Sequence, residues 1–272
     1  MELLTILLSG LLAIVSPVGL VTDSVAENAI RSRLEKAEQL QVRIDNTPNY
    51  QILQGKVERV RVAGRGLWLT PDIRIDVLEL ESDPIELDVE ELRQGEQESP
   101  RAYLQQPFQA GVRLVLREAD IERALESPTV IARLQQLMSK VPGGAAQRYE
   151  FLNPEVDFLE NNRLRFQVEA VEGDAQPLTI VLESELGIRN GNNIELVEPA
   201  LVVNGQALPP QLVAGFAKSL SNRFSFRSLE DAGITTRLLQ LEIDSQELKL
   251  AAFVRFEPLE GASAPTREGD VP

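Results

Sequence analysis

The chain contains neither histidine nor cysteine, so its chemistry must come from hydroxyls, carboxylates, amines and guanidinium groups. Disulfides, thiolate nucleophiles, most zinc sites and imidazole acid–base catalysis are thereby removed. A hydrolase would need a Ser–Lys pair, a carboxylate pair or an Asp/Glu metal site. Ser139-Lys140 supplies the first pair, but adjacent residues on a helix point to different sides, and the pair reads as a helix end. Glu79, Glu81 and Asp83 alternate, with Asp88, Glu90 and Glu91 beyond. Alternate carboxylates share a sheet face and could hold a hard divalent cation, although a solvated acidic face is the plainer reading. Arg65, between Ala63-Gly64 and Gly66-Leu67, could meet an anionic headgroup or mark a bend in a strand. Trp68, the single Trp, could anchor at a membrane interface or simply pack. Lys140-Val141-Pro142-Gly143-Gly144 lacks the GK[ST] of a phosphate loop and reads as a turn. These groups form no catalytic set, so the sequence predicts no catalytic residue, no cofactor and no metal.

The elements that would position these groups are mostly strands. Leu40, Val42 and Ile44 alternate with Gln41, Arg43 and Asp45. After the loop Asn46-Thr47-Pro48-Asn49, the apolar set resumes at Val57, Val60, Val62, Leu67, Leu69, Ile73, Ile75 and Val77. Period-two alternation gives one dry face and one wet face, so residues 39–88 predict a large antiparallel sheet. Further strands are expected over 111–116, 149–158, 163–171, 178–189, 194–203, 235–243 and 247–256. Glu160-Asn161-Asn162 and Asn190-Gly191 mark turns between them, the second a strong hairpin signal. Helices are expected over 22–38, 118–126, 128–140 and 209–222, with a loop over 94–106. The first places Val25, Ala29, Ile30 and Leu34 on one face, and the last does the same for Leu212, Phe216 and Leu220. Strand runs broken by helices, without regular βα alternation, indicate an α+β fold.

The chain has 272 residues, enough to bury roughly 75% of its unfolded surface without staples. The expected organisation is an apolar segment over 1–21, a single α+β domain over 22–257 and a disordered tail over 258–272. Three readings of the apolar segment stand side by side: an export signal or uncleaved anchor, a segment lying on a membrane surface, or a helix folded into the protein's own groove. Glu2 stands where a signal peptide carries basic residues. The net charge of −15 excludes nucleic acid as a partner and requires any membrane contact to be apolar. Leu, Ile and Val dominate the interior. They either form a solid core or line a tube for acyl chains, in which each buried CH₂ contributes about 0.8 kcal/mol.

The stretch Ala37-Glu38-Gln39-Leu40-Gln41-Val42-Arg43-Ile44-Asp45-Asn46, with Pro48-Asn49-Tyr50 and Gln54-Gly55-Lys56-Val57, resembles the LmeA-like phospholipid-binding family in a cyanobacterial-type member. So do Val62-Ala63-Gly64-Arg65-Gly66-Leu67 and the segment from Ile73 to Glu79-Leu80-Glu81-Ser82-Asp83-Pro84. The resemblance covers about 3–256. It implies a non-enzymatic envelope protein that binds phospholipid or another acyl lipid. It also implies a tubular fold like the modules of bactericidal/permeability-increasing proteins, with a long curved antiparallel sheet wrapped on amphipathic helices. The expected lining comprises Val25, Ala29, Val60, Val62, Leu67, Leu69, Ile73, Ile75, Val77, Leu212, Phe216 and Leu220. The expected location is the periplasm or another membrane-associated compartment of the envelope, or a thylakoid-side compartment, with the apolar N-terminal segment touching the membrane. Two functions follow: lipid binding or transfer, and alternatively a membrane-associated scaffold or assembly factor with a protein partner.

Overall fold

The computed structural model describes residues 23–94, 99–139, 149–173, 175–222 and 225–259. The expectations for 1–21, for Lys140 to Gly144 and for the tail beyond 259 fall outside these. In chain order the elements are α1 (Asp23–Arg31), β1 (Lys36–Asp45), a 3₁₀ turn (Asn49–Gln54), β2 (Lys56–Val57), β3 (Arg59–Trp68), β4 (Arg74–Ser82), β5 (Ile85–Glu86) and α2 (Val89–Gln94). A second 3₁₀ turn (Pro100–Tyr103), β6 (Phe108–Arg117), α3 (Glu118–Leu125) and α4 (Pro128–Ser139) follow. The remainder comprises β7 (Glu150–Leu159), β8 (Arg163–Val171), β9 (Leu178–Arg189), β10 (Asn193–Val203), β11 (Gln206–Ala207), α5 (Pro210–Ser221), α6 (Arg227–Glu230), β12 (Ile234–Ile243) and β13 (Glu247–Phe256).

Six strands form the larger sheet in the order β1-β3-β4-β6-β13-β12, and five form the smaller, β11-β10-β9-β8-β7. All of these neighbours are antiparallel. Strands run in hairpins and the helices are few, so the class is α+β.

Two local expectations are corrected. The first helix stops at Arg31, well before residue 38. Arg31 donates to the Ala37 carbonyl at 3.3 Å and closes the turn, and Lys36 and Ala37 are drawn into pairing with Trp68 and Leu67. Sheet pairing overrides helical periodicity there. The acidic run at 88–91 is a helix start, since Asp88 Oδ1 accepts the N–H groups of Glu90 and Glu91 at 2.9 and 3.0 Å.

One end of the larger sheet is closed by a layer of short elements. Leu87 N–H donates to Gly55 at 2.8 Å, and Asp88 N–H to Tyr103 at 2.8 Å. Phe108 and Phe256 stack beneath this layer with centroids 4.7 Å apart.

The two sheets meet side-on. Leu238 N–H on edge strand β12 donates to the Gly191 carbonyl at 2.6 Å, and Arg237 Nη1 donates to Asn190 at 2.9 Å. Asn162, from the β7–β8 turn, accepts from Ile243 N–H at 2.8 Å and donates to the Leu241 carbonyl at 3.3 Å. Its side-chain amide substitutes for a neighbouring strand, so the hairpin tips of the smaller sheet occupy an otherwise open edge. Asn162 has φ +59°, which Gly adopts without strain. Asn162→Gly therefore isolates the side-chain bonds. It is expected to lower unfolding stability by about 1–2 kcal/mol, seen as a reduced denaturant midpoint at unchanged slope.

Candidate lipid-binding site

The inner face of the larger sheet changes character along its length. Cross-strand rows run Ser82–Ala110–Val254, Leu80–Val112–Ala252 and Leu78–Leu114–Leu250, and Leu116 pairs with Leu248. Near the closed end Phe108, Ala110, Val254 and Phe256 are buried. Beyond them Val112, Leu114, Leu116, Leu248 and Leu250 are only half-buried, although β6 and β13 are interior strands. Two core clusters divide at this strip: Val112, Leu114 and Leu116 pack against one, and Leu248 and Leu250 against the other. On the smaller sheet Leu164, Phe166, Ile180 and Leu196 are half-buried too. An aliphatic strip in mid-sheet with its side chains incompletely covered is where acyl chains could lie.

The expected lining residues divide among several places. Val60, Val62, Leu67 and Ile75 are buried in the first cluster, with Leu69 packed against it. Ile73 is half-buried in the β3–β4 turn. Val77 shares the face of Glu79, away from Leu78. Val25 and Ala29 are half-buried, while their neighbours Ala26 and Ile30 enter the core. Phe216 and Leu220 pack with Val213 on Leu182 and Leu201, and Leu212 is 63% exposed. The half-buried strip on β6 and β13 was not among the expected lining. Alternation marks those leucines as inward, but no single strand's sequence tells a covered inward residue from an uncovered one.

The strip ends in charge. Arg74 and Asp76 precede Leu78 at alternate positions and take its face. The Arg74 guanidinium, 12% exposed, lies 2.5 Å from Asp120 and 2.9 Å from Asp76, with Glu38 at 3.3 Å. Arg117 meets Asp76 at 3.0 Å, and Arg123 meets Asp120 at 2.8 Å. Burial pulls the Arg74 pKa down, but the hydrogen bonds it donates to Asp120 and Asp76, with the charges of Asp120 and Glu38, outweigh it and the net direction is upward. Arg123 also lies over Trp68, 5.4 Å from the ring centroid, a packed position for that indole. Each cation here is matched, so the cluster acts as structure. Truncating a buried partner strands the remaining charge, and Asp120→Ala is expected to cost about 3–5 kcal/mol in chemical denaturation.

The outer face of the larger sheet holds a shallow cleft of about 890 Å³ lined by residues including Arg43, Arg61, Ala63, Glu79, Glu81, Gly111, Arg113, Leu239 and Phe253. Its acidic row is neutralised locally. Glu79 pairs with Arg113 at 3.0 Å, Glu81 with Arg59 at 3.3 Å, and Asp83 accepts the Gln109 N–H at 2.6 Å. Among the described residues no group of three or more carboxylates is placed to hold a metal ion. Arg65 is exposed on this face, one residue before Gly66 at φ +57°. Millimolar calcium or magnesium is expected to leave the thermal midpoint unchanged. A rise of several degrees would instead assign the row to a cation.

No curated protein and no solved structure matches the chain. A family model described as LmeA-like phospholipid-binding matches residues 16–253. That match spans nearly the whole sequence, both sheets and the strip between the two cores, and this chain belongs to the LmeA-like phospholipid-binding family.

Proposed function

We propose that the protein is a non-enzymatic carrier that lays phospholipid acyl chains along the half-buried strip formed by Val112, Leu114, Leu116, Leu248 and Leu250. The observation supporting this reading is the incomplete cover of those side chains on interior strands, in a chain whose family binds phospholipid. Recognition is by apolar area, at about 0.8 kcal/mol per CH₂ removed from water. On this reading the paired sheets and their helices form a tubular lipid-binding module. The protein works in the cell envelope or an internal membrane compartment and passes lipid between membranes.

Native mass spectrometry of the purified protein, followed by lipid extraction, is expected to return phospholipid at near-stoichiometric occupancy. Leu114→Trp sharpens the test. In a hollow, the indole fills the strip, lowers lipid occupancy and leaves thermal stability intact or raised. In a solid core, the same substitution overpacks and costs about 1–3 kcal/mol. An empty protein that takes up no phospholipid, and is destabilised by Leu114→Trp, would sink the carrier reading. Recovery of a stable protein partner without lipid would support the scaffold alternative.

A further inference from the structure

We infer that the 3₁₀ turn Asn49–Gln54 is a docking tip that seats Tyr50 and Leu53 in the interfacial layer of a zwitterionic phospholipid bilayer. This concerns how the molecule meets a membrane. It stands independently of the acyl-chain reading, since a protein can touch a bilayer without extracting lipid from it.

Residues three apart in a 3₁₀ helix lie one above the other. Tyr50 and Leu53 therefore share a side, and they are 62% and 57% exposed. Ile52 between them is buried and takes the opposite, inward side of the turn. The flanks are pinned as well. Gly55, at φ +79°, closes the turn with its N–H on the Ile52 carbonyl at 3.0 Å, and a Cβ there would lie 2.1 Å from the Leu87 carbonyl oxygen. On the other flank Asn46 donates to the Lys56 carbonyl at 3.1 Å and accepts from Glu58 N–H at 2.6 Å. The turn is held from both sides in a conformation that presents two large side chains outward.

Charge selects the occupant. Beside the tip Lys56 pairs with Glu86 at 3.4 Å, and Arg59 with Glu81 at 3.3 Å. Val89 of α2 comes close to Gly55, and α2 brings Glu90 and Glu91 with it. With a net charge of −15, the chain gains nothing electrostatically at an anionic surface. Attraction must come from apolar insertion, and Tyr suits the boundary between headgroups and acyl chains.

The absence of cysteine makes the test local. Leu53→Cys, carrying a nitrobenzoxadiazole label in the full-length chain, is compared with Leu239→Cys, a site 59% exposed on the outer sheet face. Phosphatidylcholine vesicles are expected to shift the label to the blue and brighten it several-fold at 53, with little change at 239. Phosphatidylglycerol vesicles at low salt should give a weaker response. The double variant Tyr50→Ser/Leu53→Ser should bind phosphatidylcholine vesicles about tenfold less tightly, in keeping with the apolar area lost, at an unchanged thermal midpoint. A silent label at 53, whether the protein binds vesicles or not, overturns the inference, as does an equal response at 53 and 239. Lipid uptake from mixed micelles should be the same in wild type and double variant, so failure of uptake in both counts against the carrier reading alone.

Discussion

A largely covered guanidinium ties the larger sheet to the helix that reaches the smaller one. Arg74 cannot sit nearly dry without compensation, because desolvating a charge costs several kcal/mol unless it is paired and hydrogen-bonded. Asp76 from its own strand and Asp120 from α3 provide that compensation, and Arg117 and Arg123 balance the surplus negative charge. The arrangement works only with α3 in one place. The same helix reaches the smaller sheet: Glu118 accepts the Phe158 N–H, and Ile121 and Leu125 pack into the second core cluster. A helix of eight residues is therefore bonded to both sheets.

Edges impose the second constraint. A six-stranded sheet has two open edges, and unpaired edges invite association. On β12 the tips of the opposing hairpins fill the vacancy through Gly191 and Asn162. On β1, Asp23 at the start of α1 accepts the Ile44 N–H at 2.9 Å. Both solutions use the backbone or a short polar side chain in place of another strand. They leave the outer face free to carry its ladder of ion pairs, which contributes little stability because the pairs are exposed but keeps a strongly acidic chain locally neutral there.

Much of this architecture can be read along the sequence. The alternation over 39–45 and along 57–77, the Asn-Gly turn at 190–191 and the amphipathic run over 209–222 are local signals that become strands, a hairpin and a helix, whereas 36–38 reads as helix and is strand. What escapes local reading is long-range. Arg74 and Asp120 are 46 positions apart, and nothing near either residue announces the other. Asn162 reads as turn chemistry, yet its side chain serves a strand 79 and 81 positions away. The leucines at 114, 116, 248 and 250 alternate as core residues do, and only the failure of the two clusters to merge sets them apart. Leu212 has the spacing of a buried helix face but points to solvent, because Val213 and Ala217 take the inward side of α5. The Gly64-Arg65-Gly66 run signals an irregularity, and the left-handed Gly66 carries it. The irregularity shifts the phase that puts Leu67 into the core next to Gly64, since a Cβ on Gly64 would come within 2.6 Å of the leucine side chain.

The half-covered strip is also a thermodynamic statement. Leaving several aliphatic side chains incompletely buried on interior strands gives up about 25 cal/mol for every Å² left wet. The helix α3 stands beside the strip with contacts to both sheets. A ligand able to cover the strip would recover the deficit in the folded state alone and so raise stability by mass action. For an acyl chain laid on the strip as proposed, such stabilisation would grow with chain length, each covered methylene adding a similar increment.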